Sequence, residues 1–259
     1  MEESKETINY KIDNKPRLLK ADEIECRVGT INAKGCSLLL YKDARVDMKI
    51  LDETYGVGNW QRTHEVINGN LFCTIEVWND RISQWVKKQD VGTESYTEKE
   101  KGEASDSFKR AGFNVGIGRE LYTSPFIWIM PKAEMKPYNT KDIDGNEASE
   151  FYAYKKDGYN KNVYTTKTVF EVTEIDYDDK GTINKLTIKD HKGNVRFSLV
   201  PEKEQKEIIK LMQQMKELLE QTNTDRDKFY KYYKVTSDGE MTLEQLRDGV
   251  EKLKQKVGE

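Results

Sequence analysis

Three short segments, residues 60–67, 71–78 and 82–88, constrain the fold of this chain most strongly. They are separated by Asn-Gly-Asn and Asn-Asp-Arg, residue types that tolerate a positive φ and therefore favour tight turns. In the middle segment an apolar residue stands at every second position from Leu71 to Val77. Period-two alternation is typical of a strand with one buried face. The sequence therefore predicts an antiparallel β-meander.

The periodicity then changes to that of a helix over residues 97–122. Ala104, Phe108, Ala111 and Val115 recur at intervals of three and four residues, which places them on one face of a helix. The same stretch is rich in alanine and glycine, and we expect these small residues to let the helix approach a sheet or the backbone of another subunit closely. The predicted fold class is α+β, with the antiparallel meander packed on a long helix, a β-hairpin extension and a small C-terminal helical module.

The expected domain organisation follows from composition and periodicity. Residues 1–20 are polar and irregular and predict a flexible leader, and residues 21–200 form the main core. Within that core, residues 131–162 are interpreted as an insertion with little core of its own. Residues 201–221 predict an amphipathic helix, and residues 225–259 a small helical module suited to docking.

Composition limits the classes of function. Charged residues make up 34% of the chain, yet the net charge is −3, so a surface that binds nucleic acid has to be a local basic patch. Neither a long apolar run nor a secretion leader is apparent, and we expect a cytoplasmic protein with no membrane partner. Cys26, Cys36 and Cys73 form no CxxC pair and are interpreted as buried thiols. We expect no metal, no cofactor and no catalytic residue.

Two motifs carry a family resemblance. LDETYGVGNW at residues 51–60 and EASDSFKRAGFNVGIG at residues 103–118 resemble the core of the Rad fifty-two superfamily of single-strand annealing proteins, especially its phage Sak-type branch. The likeness covers roughly residues 20–130, with helix, meander and helix in the same order. The matching residues of the two motifs are Asp52, Glu53, Tyr55, Gly56, Trp60, Glu103, Ala104, Ser105, Asp106, Phe108, Lys109, Arg110 and Ala111.

The resemblance implies a β-β-β-α core and a homo-oligomeric ring or helical filament. In such assemblies a basic groove holds single-stranded DNA by its backbone, so that complementary strands anneal without ATP during homologous recombination and repair. The sequence contains no GxxxxGK[ST] run, in keeping with a function that does not hydrolyse nucleotides. A phage-encoded protein of this kind would act in the cytoplasm of a bacterial host.

The resemblance also implies which residues bind DNA. Lys109 and Arg110 match the paired basic residues deep in the groove, and Ser105 matches a hydroxyl that meets a phosphate. Arg45 falls near another groove arginine, with a register offset of one. Phe113 stands where some members carry a further arginine, which leaves stacking by Phe113, replacement by Arg119 or a less basic groove as alternatives.

Other basic residues are candidates from the residues alone. The basic residues of the meander are interleaved with Trp78 and Trp85. This mixture suits a surface that tracks a backbone and stacks on bases, although tryptophans on strands are more often structural. The further candidate DNA-binding residues are Arg62, Lys87, Lys88, Lys99 and Lys101.

Two other classes of function remain as alternatives. An oligomeric interaction scaffold in DNA repair or replication suits the acidic balance and the helical tail. A metal-dependent nuclease would require clustered carboxylates. The acidic runs here, Glu98 to Lys101 and Asp176 to Lys180, have the composition of solvated loops. We also expect residues 225–259 to recruit a single-strand-binding protein or an exonuclease.

Overall fold

The computed structural model describes residues 15–93, 99–156 and 163–257. It confirms the α+β class, with antiparallel strands and α-helices in one chain. The helices are α1 (Ala44–Tyr55), α2 (Lys99–Val115), α3 (Glu202–Gln221), α4 (Arg226–Tyr232) and α5 (Leu243–Val257). The strands are β1 (Glu25–Asn32), β2 (Gly35–Tyr41), β3 (Trp60–Ile67), β4 (Asn70–Asn79), β5 (Gln84–Val91), β6 (Ile127–Ile129), β7 (Tyr152–Tyr154), β8 (Val163–Thr165), β9 (Phe170–Tyr177), β10 (Ile183–Asp190) and β11 (Val195–Leu199).

The predicted meander is the three-stranded sheet β3-β4-β5. Its register pairs Trp60 with Val77 and Trp78 with Trp85, all antiparallel. Cys73 and Ile75 of β4 are fully buried, as the alternation predicts, on the face that receives α2. The strand bounds lie within two or three residues of those expected, because both turns are built from short local signals.

Helix α2 lies across the meander and contacts β4 and β5. Phe108 and Ala111 on its buried face are inaccessible to solvent. The helix ends at Val115, earlier than the predicted residue 122, and Gly118 adopts a φ of 74° at the start of the following 3-10 turn, Arg119–Thr123. A close approach of α2 at Gly112 is to helix α1 instead of to a sheet: an added Cβ would lie 2.6 Å from a carboxylate oxygen of Asp47.

A second sheet has six strands in the order β11-β10-β9-β1-β2-β6. The predicted hairpin is β9-β10, and it is an integral part of this sheet because Glu171 of β9 pairs with Glu25 of β1. Both sheets, α1 and α2 contribute to one hydrophobic core. The predicted hairpin extension therefore supplies two of the six strands of the larger sheet.

Two segments expected to contribute little to the core have buried side chains. Leu19 is 2% exposed and its backbone N–H donates to Glu120, so the end of the predicted leader is packed; residues 1–14 lie outside the described residues. In the expected insertion, Phe151 is 1% exposed and Glu150 is buried. The prediction of little core there was wrong, because a few buried side chains stand among many polar ones; residues 157–162 are not described.

Helices α3, α4 and α5 form a second hydrophobic cluster. Met215 and Leu219 of α3 pack with Leu246 and Leu253 of α5, and all four are buried. The boundary predicted after residue 221 therefore falls inside one packed unit, which we call the helical module (residues 202–257).

The cysteines are free thiols, and Cys36 and Cys73 are buried, as predicted. Cys26 is half-buried, and burial raises its pKa to about 12. No α-helix within the described ranges has the length and apolar character needed to cross a membrane.

Candidate nucleic-acid interface

A groove of about 650 Å³ runs between α2 and the β2-β6 edge of the six-stranded sheet. One wall is lined by side chains of α2, among them Lys109, Arg110 and Phe113. The opposite wall comes from β2 and from the segment that leads into β6. We call this cavity the α2 groove. Its charged lining residues are Lys42, Asp90, Asp106, Lys109 and Arg110, and its aromatic lining residues are Tyr41, Phe113, Tyr122 and Phe126.

Lys109 and Arg110 are adjacent in sequence but differ in their partners. The Arg110 side chain is half exposed, and its Nε lies 3.3 Å from an oxygen of Asp90. Lys109 forms no ion pair or hydrogen bond with any residue that the structure describes. Its ammonium group is therefore available to an external anion, while the guanidinium of Arg110 retains donors beyond the one directed at Asp90.

A buried ion pair lies beside the groove. Lys42 Nζ donates to Asp47, and the two side chains are 8% and 0% exposed. Burial raises the pKa of Asp47 to about 6, against the opposing effect of Lys42, and burial lowers the pKa of Lys42. Lys109 acts on both groups electrostatically. The positive charge of Lys109 therefore favours the ionised form of Asp47 and disfavours that of Lys42.

The two acidic groups of the lining have structural partners. Asp106 accepts hydrogen bonds from the Thr93 N–H and hydroxyl at 3.0 Å each. Asp90 accepts from Arg110 and from the side-chain amide of Asn114. Because each carboxylate is already bonded to groups in the protein, its repulsion of an anion in the groove is weakened.

Sequence reasoning missed the aromatic wall of the groove. Tyr122 and Phe126 are 80% and 76% exposed, and both line the groove together with Lys109 and Arg110. The segment ELYTSPF, residues 120–126, carries the aromatic signal, but the predicted helix over residues 97–122 places Tyr122 at the helix end and leaves Phe126 unassigned. Phe113 was identified from sequence, and its ring lies 4.8 Å from that of Tyr122.

Arg119 does not take the place of the missing groove arginine. Its Nε donates to the Phe113 carbonyl at 2.8 Å and its Nη2 to the Asn114 carbonyl at 3.0 Å, so it caps the C-terminal end of α2. Its guanidinium also lies over the Phe113 ring, 5.6 Å from the centroid. Arg119 lines a different groove, formed with the end of the meander and the β9-β10 turn, and Lys88 lies there too.

Two meander residues expected to touch DNA have intramolecular partners instead. Lys87 pairs with Glu76 at 2.7 Å on the face opposite α2. Arg62 lies over the buried Phe108 ring, 4.6 Å from its centroid, and covers the edge of the core. Neither lines the α2 groove. Trp78 and Trp85 pack edge to face with ring centroids 5.6 Å apart, and neither lines the α2 groove.

The remaining predicted residues lie elsewhere on the surface. Arg45 is exposed and pairs with Asp43, the N-cap of α1, whose carboxylate also interacts with Lys109. Ser105 is half-buried on α2 and does not line the groove, and Lys101 is exposed. The side chain of Lys99 lies outside the described residues.

Several residues of the two sequence motifs stabilise the fold. Asp52 accepts a hydrogen bond from Trp60 Nε1 at 2.7 Å, which ties α1 to β3. Glu103 accepts from the Leu71 N–H at 3.0 Å, which ties α2 to the meander. The motif carboxylates thus position the wall that carries Lys109 and Arg110.

No group of three or more His, Cys, Asp and Glu side chains in the described ranges could hold a metal ion. The acidic run at residues 176–179 includes Asp178, whose carboxylate accepts the N–H groups of Lys180 and Thr182 and so stabilises the β9-β10 turn. Glu98 is not among the described residues.

Comparison of the chain with protein-family models, with curated proteins and with solved structures gave no match. The function is therefore inferred from the α2 groove and from the motif residues around it.

Proposed function

We propose that this protein binds single-stranded DNA in the α2 groove and anneals complementary strands without ATP in homologous recombination and repair. The observation that carries the proposal is that Lys109 and Arg110, singled out by the family resemblance, line one groove together with exposed aromatic rings. A basic groove with aromatic side chains is the usual surface for binding single strands.

In this proposal Lys109 supplies a point charge to one phosphate and Arg110 a planar fork to the next. Two such contacts bind one short stretch of DNA weakly. A homo-oligomeric ring or filament multiplies them along the strand and keeps the strand extended. The free energy of duplex formation then drives annealing, so no fuel is required.

The test is annealing of two labelled complementary oligonucleotides without ATP, with and without Mg²⁺, at several salt concentrations. The variant is Lys109→Ala/Arg110→Ala, and the matched control is Lys203→Ala/Lys210→Ala. The control removes the same charge from exposed positions on α3, away from the groove lining. Both variants are first checked for the same oligomeric state as the natural protein.

We expect the natural protein and the control to accelerate annealing and the groove variant to lose it. On single strands, the slope of log affinity against log salt should fall by about 1.4 for two lost phosphate contacts. Absence of binding by the natural protein would favour an interaction scaffold instead. Loss of labelled DNA that depends on Mg²⁺ would favour a nuclease.

We further propose that the helical module recruits a single-strand-binding protein or an exonuclease. Exposed Ile209 and Tyr232 lie on this unit and outside its buried cluster. Ile209→Glu should weaken binding to the partner and leave annealing by the protein alone unchanged. Deleting residues 225–259 is a poor test, since it would uncover Met215 and Leu219 of α3.

A further inference from the structure

The α2 groove carries more exposed aromatic surface than phosphate binding requires. Single exposed apolar residues are common on protein surfaces, but here Tyr122 and Phe126, both more than three-quarters exposed, line one cavity. Tyr41 and Leu39 of β2 extend the same wall and are 37% and 48% exposed. Aromatic side chains beside two cations can bind a ligand that has flat aromatic groups attached to an anionic chain.

Each exposed ring is held by a second ring that is less exposed. Tyr122 lies against Phe113, with centroids 4.8 Å apart, in the 3-10 turn that follows α2. Phe126 is stacked on Trp128 of β6, with centroids 6.2 Å apart and planes inclined by 19°. The supporting rings fix the orientation of the exposed rings, so little side-chain entropy remains to be lost when a flat ligand stacks on them.

Resting on the proposed function, we infer that Tyr122 and Phe126 bind bases of the single strand by stacking, while Lys109 and Arg110 bind its phosphates. Stacking occupies the face of a base and leaves its Watson–Crick edge open to a complementary strand. Bases within a duplex are already stacked on their neighbours and present no free face. The groove therefore selects unpaired strands and lets them pair, after which the duplex loses these contacts.

The experiment compares binding of an oligothymidylate strand with binding of an abasic strand of equal length and equal phosphate number, by fluorescence anisotropy over a salt series. The variants are Tyr122→Ala, Phe126→Ala and Tyr122→Phe. The matched control is Tyr138→Ala, because Tyr138 is 89% exposed and lies outside the groove lining. Sedimentation of each variant without DNA reports its oligomeric state.

We expect the natural protein to bind the thymidylate strand more tightly than the abasic strand. Tyr122→Ala and Phe126→Ala should each weaken binding of the thymidylate strand by about fivefold to 150-fold, with an unchanged salt slope, and leave binding of the abasic strand unaltered. Tyr122→Phe should retain affinity because it keeps the ring, and Tyr138→Ala should behave as the natural protein.

Equal affinity of the natural protein for both strands would overturn the stacking inference, and would leave the proposed function intact if Lys109→Ala/Arg110→Ala still weakened binding and lowered its salt slope. Dissociation of the oligomer in Tyr122→Ala or Phe126→Ala, with binding of both strands lost equally, would also overturn it and assign the rings to contact with a second copy of the chain. Failure of the natural protein to bind either strand would refute the proposed function itself.

Discussion

Removal of the guanidinium of Arg196 should destabilise the main core strongly. Arg196 on β11 donates to Glu150 at 2.8 and 2.9 Å and to Asp190 at 3.2 Å. A fourth bond, 2.7 Å long, goes to the carbonyl of Met130. The side chains of Arg196, Glu150 and Asp190 are 1%, 0% and 0% exposed. This network fixes the expected insertion to the six-stranded sheet.

The substitution Arg196→Met keeps a long apolar stem and removes the cation. Two carboxylates are then left buried without their shared partner, and the Met130 carbonyl loses its donor. Breaking a buried pair by removing one member costs about 3–5 kcal/mol of unfolding free energy. Since domains are typically stable by about 5–15 kcal/mol, the loss is a large fraction of the total.

Urea unfolding followed by tryptophan fluorescence measures this loss. The strands β3, β4, β5 and β6 each contain one tryptophan, respectively Trp60, Trp78, Trp85 and Trp128. The fluorescence signal therefore reports the main core and not the helical module. The control is Arg27→Met in β1, where the ion pair with Glu25 is about half exposed. It should cost less than about 1 kcal/mol. Equal losses in the two variants would refute the assignment of a stabilising buried network.

Two further predictions concern acid stability and the packing of α2. The pKa of Glu23 is lowered to about 2, chiefly by its hydrogen bond from Arg17. The stability that this carboxylate contributes above about pH 4.5 should therefore be lost as the pH falls towards 2. Glu23→Gln should flatten this part of the curve of melting temperature against pH. Gly112→Ala should lower the unfolding free energy by about 1–3 kcal/mol despite its gain in helix propensity, since the new Cβ meets the buried Asp47. Gly58→Ala, which adds a Cβ in open space, should change it little in the same urea titration.

The elements that could be predicted from sequence are those whose signals are local. The β3-β4-β5 meander follows from alternation within strands and from turn residues between them. The C-terminal helix α5 likewise begins where Thr242 and Gln245 cap its first turn reciprocally. In these cases neighbouring residues along the chain determine the structure.

Membership of the six-stranded sheet could not be predicted in the same way. The hairpin β9-β10 is evident from its own pattern, but nothing within it specifies pairing with β1, which lies far away in the sequence. Leu19 and Phe151 were missed for a related reason, because each is one buried side chain in a polar stretch. Such positions are fixed by tertiary contacts, which periodicity does not record.

The same distinction applies to the candidate site. Sequence proposes basic residues by type and spacing, but the availability of each for DNA depends on its partner in the fold. Arg62 covers Phe108, Lys87 pairs with Glu76, and Arg119 caps α2. An added phosphate would have to displace these contacts, whereas at Lys109 it would displace no ion pair that the structure describes. The binding free energy per charge should therefore be largest at Lys109, and Lys109→Ala should weaken single-strand binding more than Lys87→Ala does.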